Sequence, residues 1–382
     1  MDYKRSIPFN SVYISKKEIY FVNDAINSRK LSDKSKYNVL CTEWLKKFVK
    51  VKECFLVPSC TSGLEMSALL INIKPGDEII VPNYTFVSTP NAFTIFGAKI
   101  VFVDIEKKSL NINFIEVEKA ISKKTKAIVV VHYAGNSAKM EELKKIARKY
   151  NLYLIEDAAQ AFNSYYKKQP VGIYGDISIF SFHVSKNITS GGEGGLLCVN
   201  NQELIKKAFH ISEKGTNKRN FISGSVKKYT WISKGSSYKM SEIQAAFLYA
   251  QLMNLKKIQK KRDYIWNKYY KLLHNLNLPI LLPEKCNENQ HNSHIFHIRL
   301  KSQFLREDLI DFAKKRSVEM ASHYETLHNS KAGKLYGISS GKLNHSINAS
   351  NNLIRLPIHL DLKVKDIEIV VKTIRDFFKC KN

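Results

Sequence analysis

No apolar run in the chain is long enough to cross a bilayer. Stretches such as Ala127 to Val131 fall far short of the ~20 residues a spanning helix needs. The first residues, Met1-Asp2-Tyr3-Lys4-Arg5 and on to Asn10, carry no apolar signal core, so a cytoplasmic protein with no membrane partner is expected. Paired cysteines are missing too. Cys41, Cys54, Cys60, Cys198, Cys286 and Cys380 are scattered without a CxxC pair, which argues against a zinc ribbon or a disulfide framework in a chain this long. Acids are scarce: 34 Asp and Glu face 61 Lys and Arg, for a net charge of +27. Such a balance raises nucleic acid as a partner. The lysines, however, come as doublets spread from Lys16-Lys17 to Lys314-Lys315, whereas a binding surface concentrates charge on one element. Solvated helix faces and no nucleic-acid partner are expected, with a positive field that helps attract anionic ligands. No metal site is expected either. His291, His294 and His297 lie three apart, but if Ile295 to Leu300 is a strand, His294 and His297 point to opposite faces.

A length of 382 residues suggests two units. Helical spacing over Glu43 to Val49 leads to an apolar strand, Cys54 to Val57, and then to Pro58-Ser59-Cys60-Thr61-Ser62-Gly63. From Leu64 the pattern is helical again, which puts Thr61 to Gly63 at a helix N-terminus. Pro75-Gly76-Asp77 reads as a turn. Strands at Glu78 to Val81, Lys99 to Val103, Ala127 to Val131 and Leu152 to Ile155 then alternate with helices at Asn91 to Phe96, Ile115 to Ile121 and Met140 to Tyr150. This alternation predicts an α/β fold with a mostly parallel central sheet covered on both faces. A capping box, Ser241-Glu242-Ile243-Gln244, opens a helical stretch that reaches about Leu273. Beyond Leu278-Pro279 come short elements, including Ile295 to Leu300 and Arg306 to Lys315. The expected division is a large domain over residues 1–254 and a smaller C-terminal α+β domain over residues 255–382.

Ligands of such sheets gather beyond the carboxyl ends of the strands, where Thr61, Asp157 and Lys186 fall. Lys186 follows Ser181-Phe182-His183-Val184-Ser185 and precedes Gly191-Gly192-Glu193-Gly194-Gly195; Asp157 ends Tyr153-Leu154-Ile155-Glu156-Asp157. A lysine and an acid so placed suit pyridoxal phosphate. The amine can form a Schiff base with the cofactor aldehyde, and the carboxylate can hold the pyridine nitrogen protonated. Each residue also has a plainer reading: Lys186 as a surface lysine, Asp157 or Thr61-Ser62-Gly63 as a helix cap, Phe86 as core. Their co-occurrence favours the chemical reading.

Further strings accompany these: Pro75-Gly76-Asp77-Glu78, Tyr84-Thr85-Phe86-Val87-Ser88-Thr89, Val131-His132-Tyr133-Ala134-Gly135, Glu156-Asp157-Ala158-Ala159-Gln160, Glu213-Lys214-Gly215-Thr216-Asn217 and Gly235-Ser236-Ser237-Tyr238. As a set, running from about residue 7 to residue 360, they resemble the DegT/StrS family of nucleotide-sugar aminotransferases, and within it the WecE branch that makes dTDP-4-amino-4,6-dideoxy-D-galactose. The resemblance implies a fold type I pyridoxal phosphate enzyme with glutamate and a nucleotide sugar as substrates. Lys186 and Asp157 become catalytic, Thr61, Ser62 and Ser181 hold the cofactor phosphate, Phe86 stacks on the ring and Gln160 meets the ring hydroxyl. Ser237 stands where many relatives carry an asparagine that reaches the neighbouring subunit's cofactor, which implies a homodimer with shared sites. His323-Tyr324-Glu325-Thr326-Leu327-His328 is similar to a sugar-side loop, with Glu325 and Thr326 in place of an apolar residue and proline; His323, Tyr324 and His328 are the implied substrate contacts. Alternatives are a 3-keto or UDP-linked sugar, or a non-catalytic cofactor-binding regulator, which the presence of both Lys186 and Asp157 disfavours. A sugar 3-dehydrase, with histidine in place of the lysine, is disfavoured by Lys186.

Overall fold

The computed structural model describes residues 6–32, 34–285 and 289–381. The opening pentapeptide and Cys286, both read above, lie outside the described residues. No described helix is long and apolar enough to cross a membrane.

An eight-stranded sheet forms the centre. Its order is Glu53–Val57, Gly195–Val199, Ile177–Ser181, Tyr153–Asp157, Thr125–Val131, Glu78–Pro82, Lys99–Val103 and Gly337–Ser339. The inner strands are runs of β-branched and apolar residues buried along nearly their whole length, as a sheet covered by helices on both faces requires. One strand breaks the parallel order. Gly195–Val199 runs antiparallel to both its neighbours, so the chain after Ser181 returns directly and the connection 182–194, with Lys186 on it, stays at the carboxyl ends of the parallel strands. On the adjoining strand Asp157 pairs with Ile179, close to where that connection begins.

The helix Cys60–Leu70 sits hard against this end of the sheet. A Cβ added to Gly195 would lie 2.8 Å from the Cys60 backbone nitrogen, and one added to Gly63 would lie 2.8 Å from an Ile179 methyl. Only glycine permits that approach at both positions. The cap corrects the sequence reading by two residues: the N-cap is Ser59, whose side chain accepts from the Ser62 amide, and Thr61 and Ser62 occupy the first turn.

C-terminal to these elements, Phe296–Arg299 pairs antiparallel with Leu353–Leu356. Leu255–His274, Gln303–Lys315 and Val364–Lys381 pack a second core around the pair. Two crossings complicate a division at residue 255. Ile7 joins this second core and bridges Val318, while Gly337–Ser339 leaves it to extend the main sheet beside Lys99–Val103. The capping box at Ser241 is formed, and the long helical stretch splits at Asn254 into Glu242–Met253 and Leu255–His274.

Two N-terminal features were not read from sequence. Lys16–Asn27 is a helix opened by a Ser15 and Glu18 capping box, a visible signal. The next helix begins at Lys36 rather than near Glu43, because buried Glu242 accepts from the backbone amides of Tyr37 and Asn38 at 2.6 and 3.0 Å. That cap is about 200 residues away in sequence.

Candidate active site

A cavity of about 580 Å³ opens at the carboxyl end of the sheet, lined on one side by residues of the strand ends and on the other by C-terminal segments. Asp157 and Lys186 both line it. Asp157 is buried, and each carboxylate oxygen has a donor: the Thr89 hydroxyl at 2.7 Å and the Ala159 amide at 3.1 Å. Burial pushes its pKa up, opposed by those two hydrogen bonds and by the Lys186 charge. Lys186 is half-buried and its backbone amide donates to the His183 carbonyl at 2.9 Å. Burial pulls the amine's pKa down, opposed by Cys60 and Asp157. A lysine so depressed is a better nucleophile near neutrality than one in water.

Along one wall the helix Cys60–Leu70 presents its first turn. Thr61 lines the cavity and donates to the Ser88 hydroxyl at 2.9 Å, and buried Ser181 lines it as well. Amides and hydroxyls at a helix N-terminus suit a phosphate group. Ser62 lies one step back, its hydroxyl 3.0 Å from that of Ser59. Phe86 is 55% exposed at the cavity, which rules against the core reading and leaves an aromatic face for a flat ring. Gln160 accepts from the Ala134 amide at 2.7 Å and donates to the Tyr324 hydroxyl at 2.6 Å.

The C-terminal side carries His323 and Tyr324, whose rings stack with centroids 3.6 Å apart. His323 Nδ1 lies 2.7 Å from the Tyr133 hydroxyl. Burial pushes the imidazole well below its usual pKa, helped by the charge of Arg355. It is therefore neutral near pH 7.

Three expected residues do not line the cavity: Ser62, already described, His328 and Ser237. The turn Leu327–Asn329 directs His328 away, so its amide and ring Nδ1 both meet Asn83 Oδ1, at 2.9 and 3.1 Å. Ser237 is exposed on a segment that bridges Glu213. The three spaced histidines also part company. His294 lines the cavity and meets Asn187 at 2.8 Å, His297 packs against Tyr133, and His291 packs against Trp266. Thr89, Glu193, Arg262 and Arg355 line the cavity without having been assigned a role. Thr89 closes the string Tyr84 to Thr89 and was open to discovery; nothing local marks the two arginines.

Pyridoxal phosphate has four features that need partners, and the cavity answers each: a helix N-terminus for phosphate, an exposed aromatic face for the ring, a buried acid for the ring nitrogen and a lysine for the aldehyde. The residues present fit the cofactor.

A model of the DegT/DnrJ/EryC1/StrS aminotransferase family matches residues 12–375. The chain belongs to this family. It is 34% identical over 340 residues to the uncharacterized protein MJ1066 of Methanocaldococcus jannaschii, covering 87% of this chain and 88% of that one. It is 30% identical over 381 residues to the spore coat polysaccharide biosynthesis protein SpsC of Bacillus subtilis, covering 98% and 97%. Among solved structures it superposes on Helicobacter pylori PseC, an aminotransferase involved in the biosynthesis of pseudoaminic acid, with a TM-score of 0.89, 26% identity and coverage of 98% and 100%. The chain is thus a pyridoxal phosphate-dependent sugar aminotransferase of fold type I.

Proposed function

We propose that the enzyme moves an amine from glutamate to the 4-keto carbon of dTDP-4-dehydro-6-deoxy-D-glucose, giving dTDP-4-amino-4,6-dideoxy-D-galactose. One cavity holding both the Lys186 amine and the buried Asp157 carboxylate carries the amine-transfer part of this reading. For the sugar, the support is the resemblance of the motif set to the WecE branch.

Pyridoxal 5'-phosphate supplies an aldehyde to take up the amine and a ring that withdraws electrons from the reacting carbon. Lys186 Nζ would hold that aldehyde, and the same amine would remove the proton from the donor carbon and, in the second half-reaction, deliver one to the sugar carbon. The Asp157 carboxylate would hold the ring nitrogen, kept in orientation by Thr89 and the Ala159 amide. Thr61, Ser62 and Ser181 hold the phosphate with the amides of the helix start. Phe86 covers the ring and Gln160 meets its hydroxyl. Neutral His323, with Tyr324, binds the sugar through hydrogen bonds rather than charge.

Ser237 acts from the neighbouring subunit, so the working unit is a homodimer. Mixing Lys186→Ala chains with Ser237→Trp chains should restore activity, because one site of each heterodimer escapes both defects; no recovery after proven subunit exchange contradicts the shared site. The substrate is tested by incubating enzyme and glutamate with matched keto sugars, read by mass and NMR. Sites that hydrogen-bond a given hydroxyl reject its displaced isomer by factors of about 10⁴. A higher kcat/KM for a UDP-linked or 3-keto sugar contradicts the dTDP-4-keto assignment and leaves the amine chemistry standing.

A further inference from the structure

We propose that Cys54 and Cys198 form a modification site, a dithiol that hydrogen peroxide converts to a disulfide across the edge of the central sheet. The inference is independent of which sugar the enzyme aminates.

The strand register sets the two cysteines opposite each other. Glu53–Val57 is the outermost strand, held by a single ladder, and its Cys54 faces Cys198 of Gly195–Val199. Facing residues of an antiparallel pair either exchange backbone hydrogen bonds, with Cα atoms about 5.5 Å apart, or do not, with Cα atoms about 4.5 Å apart and side chains closer. The Phe182 amide donates to the Gly194 carbonyl at 2.8 Å, and the Asn200 amide to the Asp176 carbonyl at 2.9 Å. Every second residue from 194 to 200, Cys198 among them, therefore turns its backbone groups toward Ile177–Ser181 and away from Cys54. Cys54 agrees from its own side, since its amide donates to the Glu53 carboxylate at 3.1 Å and not across the ladder. The pair is thus of the close kind. A Cα separation of about 4.5 Å lies within the range of about 4.4–6.8 Å that disulfides span.

Both side chains enter one hydrophobic core, whereas the adjacent Phe55 and Leu197 enter another. Cys54 Sγ makes a long hydrogen bond, 3.6 Å, to the Thr42 carbonyl. Among the described residues no other two cysteines oppose each other on a ladder: Cys41 Sγ donates to the Ala245 carbonyl at 3.2 Å, Cys60 lines the cavity and Cys380 is exposed.

Burial pushes the Cys54 thiol up to about 12 and the Cys198 thiol well above its ordinary value, so the reaction is slow and bulky oxidants are kept out. Peroxide is small and uncharged, and an edge strand with one ladder is where a sheet opens locally. The deprotonated Cys54 sulfur attacks one peroxide oxygen, the O–O bond breaks, and a sulfenic acid and one water form as the departing hydroxide takes up the proton. The Cys198 sulfur then attacks that sulfur, its own proton leaves with the hydroxyl as the second water, and the S–S bond forms. Two thiols lose two electrons, and one peroxide becomes two waters. The bridge joins the strand that runs into Ser59 and Thr61 to the strand that follows the Lys186 connection. Neither cysteine lines the cavity, so the bridge staples the sheet edge and leaves the chemistry alone.

The test treats holoenzyme with hydrogen peroxide at mildly alkaline pH, alkylates it with iodoacetamide in denaturant, and maps its peptides with and without dithiothreitol. Wild type should yield a linked Cys54–Cys198 peptide that dithiothreitol cleaves, with Tm raised by about 5 °C and both half-reactions within about twofold of the untreated enzyme. The rise in Tm should vanish in Cys54→Ala and persist in Cys380→Ala, and the wild-type map decides even where a variant fails to fold. Recovery of both thiols alkylated while Cys380 is oxidised, a disulfide from either to a different cysteine, or a linked peptide with no rise in Tm overturns the inference.

Discussion

Asp157, Thr61, Ser181 and Lys186 reach the cavity from the ends of neighbouring parallel strands, the start of a helix and the return loop between two strands. His323, Tyr324 and Arg355 reach it from the C-terminal segments, where aromatic stacking and a two-stranded pair fix them. The sheet side holds an acid and an amine whose pKa values burial draws toward each other, the condition for moving protons near neutrality. Across from it, burial keeps the histidines uncharged. On the proposed reading, chemistry common to both substrates sits on the sheet side, and selection between them on the other. Damage to the first should slow both half-reactions equally; damage to the second should separate them.

The largest effect is expected for Lys186→Ala, which should slow both half-reactions by about 10⁴-fold or more, since on the proposed reading it removes the base and the cofactor attachment together. Single-turnover kinetics with each substrate checks this, and one half-reaction surviving near wild-type rate breaks the comparison. Asp157→Asn should slow both by about 10²- to 10³-fold. It should have the opposite effect on the cofactor-free protein. The folded-state pKa of Asp157 is raised above its ordinary 3.8, so the folded chain holds that proton more tightly than the unfolded one. Its contribution to stability is present below pH 3.8 and lost as pH rises through the folded value. At neutral pH, Asp157→Asn should raise the Tm of the cofactor-free protein, by ~2 °C, with the gain shrinking as pH falls toward 3.8. A lowered Tm at neutral pH would show that the carboxylate stabilises the fold.

Thr89→Val removes one of the two hydrogen bonds to Asp157. A bond to a charged group contributes about 1.5–3 kcal/mol, so both half-reactions should slow by roughly tenfold. Tyr133→Phe should have the smallest effect. It frees His323 Nδ1 and should raise the sugar KM by a few-fold while leaving the donor half-reaction unchanged. Equal changes in both halves would move His323 from selection to chemistry.

The sheet side was more legible in the sequence for a physical reason. Strand, turn and helix start are local patterns, so the strings at Thr61, Asp157 and Lys186 announced both their structure and their place at the carboxyl ends. The C-terminal side is assembled from pairings distant in sequence, such as Ala321 with Arg355 and Tyr133 with His323. Arg355, inside a short apolar strand, carries no local mark. His328 shows the converse, since a motif suggested a sugar contact and a tight turn points the ring at Asn83 instead. Glu242 escaped notice as a cap for the same reason as Arg355: its partners, Tyr37 and Asn38, lie at the far end of the chain.

Everything assigned to the sheet side depends on Lys186 carrying the cofactor. Reducing the holoenzyme with borohydride and mapping its peptides tests this most directly. The cofactor mass should appear on the peptide containing Lys186, at one per chain, and be absent from Lys186→Ala treated in the same way. An adduct on a different lysine in the wild-type enzyme would contradict the assignment.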